Sequence, residues 1–115
     1  MNARGQVLLW VAQRASAAVL VLCVAVHLAT MIYAVKNGLT AGEILGRTRG
    51  NAGWAAFYTT FVAMVAVHGS IGMRAILEET LGWRDGRLNG ATLAIGLALA
   101  ALGLRAVWAV FGGGA

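Results

Sequence analysis

The sequence predicts an all-α membrane protein with three transmembrane helices in one domain over residues 1–115. Of the 115 residues, 60% are hydrophobic, 11% are charged and none is proline, and the mean hydropathy is +0.78. A soluble domain carries about 25% charged residues, so this composition indicates a chain that lies in a bilayer. Three apolar runs, with charges mostly at their ends, have the length that a helix needs to cross ~30 Å of hydrocarbon.

Helix I is predicted over about residues 7–35. Residues 15–35 contain no Asp, Glu, Lys or Arg, and this run is longer than the ~7–15 apolar residues of a signal peptide. We therefore expect helix I to remain in the protein as a membrane span. After a turn at Lys36-Asn-Gly38, the run Thr40-Ala-Gly-Glu43 has the spacing of a capping box, which predicts a short surface helix over about residues 40–47.

Helices II and III are predicted over about residues 52–79 and 88–111. Residues 51–73 contain no charged side chain, which is long enough for a complete span. On helix III, Gly96, Ala100 and Gly103 place small residues at helical spacing, which favours close packing against another membrane helix.

Three spans place the two termini on opposite sides of the membrane. The basic residues toward the N-terminal side slightly outnumber those toward the other side, which favours a cytoplasmic N-terminus. The first group is Arg4, Arg14, Arg74, Arg84 and Arg87, and the second is Lys36, Arg47, Arg49 and Arg105. The net charge is +5, but the basic residues do not form a stripe with interleaved aromatics. We therefore expect contact with the lipid bilayer and not with nucleic acid.

His68 lies deep inside the uncharged part of helix II. A polar group there costs free energy unless it is paired, so it usually faces a cofactor, a water-filled path or another helix. Imidazole is a good axial ligand for haem iron. Gly72 lies one turn later on nearly the same face, so a flat ligand could approach the backbone beside the imidazole.

Helix I carries a polar stripe on one face, formed by Gln13, Ser16, Cys23 and His27 together with Leu20. This stripe is a candidate cofactor-facing surface. An alternative interpretation is a contact between helices, in which hydrogen bonds are worth ~1 kcal/mol.

His27 and His68 are both candidate haem ligands at different depths. Counted from the loop between helices I and II, they differ by ~12 Å at 1.5 Å per residue, whereas two trans axial nitrogens on one iron lie only ~4 Å apart. Either each histidine pairs with a histidine of another subunit, giving up to two haems, or only one is a ligand. Both options make the three helices part of a haem-binding bundle completed by a partner subunit.

Two motifs resemble those of the cytochrome b membrane-anchor subunits of succinate dehydrogenases and fumarate reductases. The run Gln13-Arg14-Ala15-Ser16-Ala17 resembles the helix I motif His-Arg-x-Ser/Thr-Gly of this family. The run His68-x-x-x-Gly72-x-Arg74, followed by Glu79, resembles its helix II motif. The three-span layout extends the resemblance over nearly the whole chain. Gln13 and Ala17 depart from the pattern, and Gln13 removes a titratable group from the cofactor neighbourhood.

The resemblance implies a non-catalytic, single-domain anchor that holds an iron–sulfur subunit and a flavoprotein subunit at the membrane, alongside a second membrane-anchor subunit. We expect the inner membrane of a bacterium. His68 would bind haem b, with Gly72 allowing close packing, and Arg14, Ser16 and Gln13 would lie near ubiquinone or menaquinone.

Two further roles follow from the same resemblance. Arg14 and Arg74 are candidates to pair with haem propionates or with the quinone. His27 resembles the helix I ligand of the two-haem branch of the family, so one or two haems would be shared with the partner, and the alternative for His27 is a hydrogen bond across a helix interface.

The chain itself shows no flavin or dinucleotide fingerprint, no cysteine cluster and no catalytic triad, so dicarboxylate chemistry would belong to the soluble partners. A haem-free structural anchor is one alternative. A small transporter is another, but coupling needs a membrane-embedded carboxylate. All four acids are in loops or at helix ends: Glu43, Glu78, Glu79 and Asp85.

Overall fold

The computed structural model describes residues 2–112, which form four helices. These are α1 (Ala3–Lys36), α2 (Ala41–Thr48), α3 (Ala52–Leu81) and α4 (Gly86–Phe111). The helices α1, α3 and α4 are long and apolar enough to cross a membrane. The prediction of an all-α fold with three spans is therefore confirmed.

The helix ends differ from the predicted ones by up to four residues, because capping side chains extend the helices into polar sequence. Asn2 accepts a hydrogen bond from the Gly5 amide at 2.8 Å, so α1 begins four residues before the predicted start. Asp85 accepts from the Arg87 amide at 3.0 Å, so α4 begins at Gly86. At its C-terminal end α3 continues to Leu81 and is followed by a glycine with positive φ.

The short helix α2 begins where its capping signal predicts. Thr40 is the N-cap, and its Oγ1 accepts a hydrogen bond from the Glu43 amide at 3.1 Å. The Glu43 carboxylate does not return to the cap, as it would in a full capping box, but pairs with Arg47 one turn later.

Helix α3 is the central element of the bundle, because α1 and α4 both pack against it, while α2 lies against the end of α4. Few side chains are fully buried among residues 2–112, and most of them are small. Large apolar side chains of α1 and α4 point outward, among them Leu22, Leu93 and Leu104. The helices therefore pack through small residues and expose apolar surface to lipid or to another subunit.

The contact between α3 and α4 depends on glycine. A Cβ added at Gly103 would lie 2.5 Å from a methyl carbon of Val62, and one added at Gly69 would lie 2.9 Å from Leu99 Cδ1. Gly96 lies beside Ser70. The predicted close packing at Gly96 and Gly103 is confirmed, and the partner helix is α3.

Candidate functional site

His68 is half-buried on the face of α3 that meets α1. Its Nδ1 lies 3.5 Å from the Ser16 hydroxyl, and that hydroxyl donates a hydrogen bond to the Gln13 carbonyl oxygen at 3.1 Å. Ser16 is only 2% exposed, so it sits inside the contact between the two helices. The Nε2 of His68 has no hydrogen-bond partner within residues 2–112. This atom is not fully buried. One ring nitrogen therefore contacts α1, and the other is left without a partner in this part of the chain.

Gly72, one turn after His68, faces Gln13 of α1. A Cβ added at Gly72 would meet only the Gln13 side-chain amide, at an ordinary distance of 3.6 Å. The Oε1 of Gln13 is buried and has no hydrogen-bond partner within the described chain.

A cavity of about 450 Å³ opens between α1, α3 and the start of α4 at this end of the bundle. Gln13 and Arg74 both contribute to its lining, although they are 61 residues apart in the sequence. Trp10, Ile71, Glu78 and Leu88 are among the other lining residues. The fold thus gathers an amide, a guanidinium and an aromatic ring around one space.

The charge of Arg74 has no acidic partner within residues 2–112. Its Nη1 donates to the neutral Asn89 amide oxygen on α4 at 2.8 Å. The nearby Glu78 pairs instead with Arg84 at 2.8 Å. The Arg74 guanidinium therefore remains available to an anionic group.

Arg14 and Ser16, which are neighbours in the predicted motif, point to different sides of α1. Arg14 is exposed, and its guanidinium carbon lies 5.0 Å from the centre of the Trp10 ring. This is within the range of a cation–π contact. Ser16 instead lies buried beside His68, so the structure does not bring Arg14 and Ser16 together.

His27 lies at a different level of the bundle. Its ring meets the rings of Tyr58 and Phe61 edge-on, at centroid distances of 5.8 and 5.6 Å. These two residues precede His68 on α3 by ten and seven positions, or ~10–15 Å along the helix axis. The two histidines of the chain therefore do not meet at one point.

A second, mainly apolar cavity of about 400 Å³ lies beside His27 and beneath α2. It is lined by residues of all four helices, including Arg47, Tyr58 and Gly103. The Nδ1 of His27 is buried and has no hydrogen-bond partner within residues 2–112.

Sequence reasoning missed several residues around these sites. Trp10 could have been found, because it lies four positions before Arg14 and such pairs share a helix face. No sequence pattern could have indicated the role of Asn89, since its partner Arg74 is on another helix. The same holds for Phe61, because an aromatic residue in an apolar span is ordinary.

Three apolar helices that hold an imidazole in mid-span, with basic side chains at one end, define an integral membrane subunit with a polar site inside the bundle. The family model described as "Succinate dehydrogenase/Fumarate reductase transmembrane subunit" matches residues 1–108, so the chain belongs to this family. No curated protein and no solved structure matches the chain. The chain is therefore a membrane subunit of this class of complex, and the transporter alternative does not fit.

Proposed function

We propose that this chain is the membrane-anchor cytochrome b subunit of a succinate:quinone oxidoreductase or a quinol:fumarate reductase. It docks the iron–sulfur and flavoprotein subunits, binds haem b and contributes to the quinone site. The observation that carries the proposal is His68, an imidazole inside a membrane span whose Nδ1 lies beside Ser16 and whose Nε2 has no hydrogen-bond partner within residues 2–112.

The residues near His68 fit a haem. Nε2 is the nitrogen available as an axial ligand, and Gly72, which faces the Gln13 side-chain amide at an ordinary distance, adds no bulk one turn after the imidazole. Arg74, with only a neutral partner, is suited to a propionate. When bound, the haem would supply one-electron transfer. The second axial ligand would come from a second membrane-anchor subunit, because His27 lies at another depth.

The cavity lined by Gln13 and Arg74 supports a quinone site at the same end of the bundle. Reduction of a quinone develops negative charge on its oxygens, which a guanidinium and an amide N–H can stabilise. Arg14 would act from the adjacent outer surface of α1. Ser16, predicted near the quinone, is buried in this chain. It would therefore act on the site indirectly, without contacting the quinone. The substrate is ubiquinone or menaquinone.

The chain takes no catalytic role of its own in this proposal. Conversion of the dicarboxylate belongs to the flavoprotein subunit, and electrons reach the quinone through the iron–sulfur subunit. The location is the bacterial inner membrane with a cytoplasmic N-terminus, which the excess of basic residues on that side favours.

A second haem at His27 is supported by a separate observation: His27 lines a cavity of about 400 Å³, and its buried Nδ1 has no hydrogen-bond partner within residues 2–112. Its other axial ligand would come from the companion subunit. The alternative is a histidine that is hydrogen-bonded across a helix interface.

Reduced-minus-oxidised optical spectra and a haem assay, both on the purified complex, test these assignments. We expect His68→Ala to abolish or greatly alter a haem b band, and His27→Ala to remove a second haem while leaving the first. A wild-type complex without any haem b band would establish the haem-free anchor instead. One haem per complex, unchanged in His27→Ala, would exclude the ligand role of His27.

A further inference from the structure

The Ser16 hydroxyl has a single proton, and the geometry assigns it to the Gln13 carbonyl. The oxygen–oxygen distance of 3.1 Å is that of a hydrogen bond, and the acceptor is a backbone carbonyl that cannot donate in return. The remaining lone pairs of Ser16 Oγ can only accept. Its neighbour at 3.5 Å, His68 Nδ1, must therefore be the donor if the two groups are to interact favourably.

We propose that Ser16 is a positioning residue for the haem ligand: its oxygen accepts the Nδ1–H of His68, and this keeps the Nε2 lone pair free for iron. The proposal rests on the proposed function, because it assumes that His68 binds haem. Ser16 itself touches neither iron nor quinone in this role. It acts only through the imidazole.

The contact is long for an N–H···O hydrogen bond, which is usually 2.7–3.2 Å, but its surroundings favour it. Ser16 is 2% exposed, so little water can compete for the Nδ1 proton. A histidine that ligates a metal generally donates its other N–H to an acceptor, which sets the tautomer and ring orientation and raises the basicity of the ligating nitrogen. A more basic ligand stabilises ferric over ferrous iron, so this contact should lower the midpoint potential of the haem.

Ser70 provides a matched control for a role in helix packing alone. It is 9% exposed, and its hydroxyl donates to the Val67 carbonyl at 3.1 Å, in the same way as Ser16 donates to Gln13. However, Ser70 lies against Gly96 of α4 and has no contact with the His68 ring among the hydrogen bonds of residues 2–112. Replacing either serine with alanine removes the same atoms from a buried helix contact.

The test is a redox titration of haem b and a haem assay on the whole purified complex carrying Ser16→Ala, Ser16→Thr or Ser70→Ala. We expect Ser16→Ala to raise the midpoint potential and to weaken haem binding about 10- to 100-fold, the usual effect of losing a partner of a metal-bound histidine. Ser16→Thr keeps the hydroxyl and should return the potential toward the wild-type value. Ser70→Ala should leave both quantities unchanged.

A wild-type potential and haem content in Ser16→Ala would overturn the inference, and so would equal shifts in Ser16→Ala and Ser70→Ala. If Ser16→Ala yields no complex, Ser16→Cys replaces it, because sulfur is only a weak acceptor. A wild-type potential in Ser16→Cys would then overturn the inference. A wild-type complex without haem, or a haem retained in His68→Ala, would instead refute the proposed function itself.

Discussion

The Thr48 hydroxyl at the end of α2 lies 2.8 Å from the Val110 carbonyl oxygen at the end of α4 and 3.0 Å from the Ile44 carbonyl oxygen of its own helix. Its single proton is donated toward these two acceptors, of which Val110 is the nearer. The Gly50 amide donates to the neighbouring Phe111 carbonyl, also at 2.8 Å. The last four carbonyls of a helix lack intrahelical partners, so the connection after α2 caps α4 from outside. These hydrogen bonds also hold α2 over the cavity beside His27.

Thr48→Val should loosen this end of the bundle. The substitution keeps the shape of the side chain but removes the donor, and an unpaired buried acceptor costs about 1–3 kcal/mol. Thermal unfolding of the purified complex and amide hydrogen exchange near residues 108–112 measure the effect.

Thr60→Val is the control for this change, because the Thr60 hydroxyl is exposed and donates only to Ala56 within its own helix. Equal effects of the two substitutions would show that the link between α2 and α4 adds no stability.

Gly103→Ala should destabilise the contact between α3 and α4. The new methyl group would lie 2.5 Å from Val62, and overpacking of this kind typically costs about 1–3 kcal/mol. Gly90→Ala, on the same helix, meets nothing within 4 Å and should leave the unfolding temperature unchanged or raise it. The prediction fails if Gly103→Ala is as stable as the wild type.

Arg14→Ala should lower quinone-linked turnover while leaving electron transfer from succinate to a soluble dye nearly intact. The expected loss is roughly tenfold or more, since a hydrogen bond to a charged group contributes about 1.5–3 kcal/mol. Steady-state assays with both acceptors measure it. Arg105→Ala is the control, because Arg105 is an exposed residue of α4 toward the other end of the bundle. This substitution should affect neither assay. Equal loss with both acceptors in Arg14→Ala would indicate failed assembly.

The start of α4 should become less stable in acid because of Asp85. The amide of Arg87 donates to the Asp85 carboxylate and is the main reason that the pKa of this side chain lies below its ordinary value. A lowered pKa in the folded state means that the cap stabilises the fold above the ordinary pKa of ~3.9 and that this stability is lost as the pH falls through the folded value.

Asp85→Asn keeps an acceptor at the cap but cannot titrate, so it should flatten this part of the pH dependence. Amide exchange of residues 86–90 between pH 3 and pH 6 provides the measurement. The same acid sensitivity in Asp85→Asn and the wild type would assign it to another group.

The sequence by itself determined the fold class, the three spans, the cap at Thr40, the small-residue face of α4 and the isolation of His68 in an apolar helix. These features depend on composition, on helical periodicity and on side chains a few residues apart, all of which are local. The tertiary structure decided which groups meet: Ser16 with His68, Arg74 with Asn89, and His27 with Tyr58 and Phe61. Such contacts depend on how far each helix is rotated and shifted against α3. For α4 this register is set by the close approach at Gly69 and Gly103. The sequence of one helix alone does not specify it, because the register depends on side chains of two helices at once.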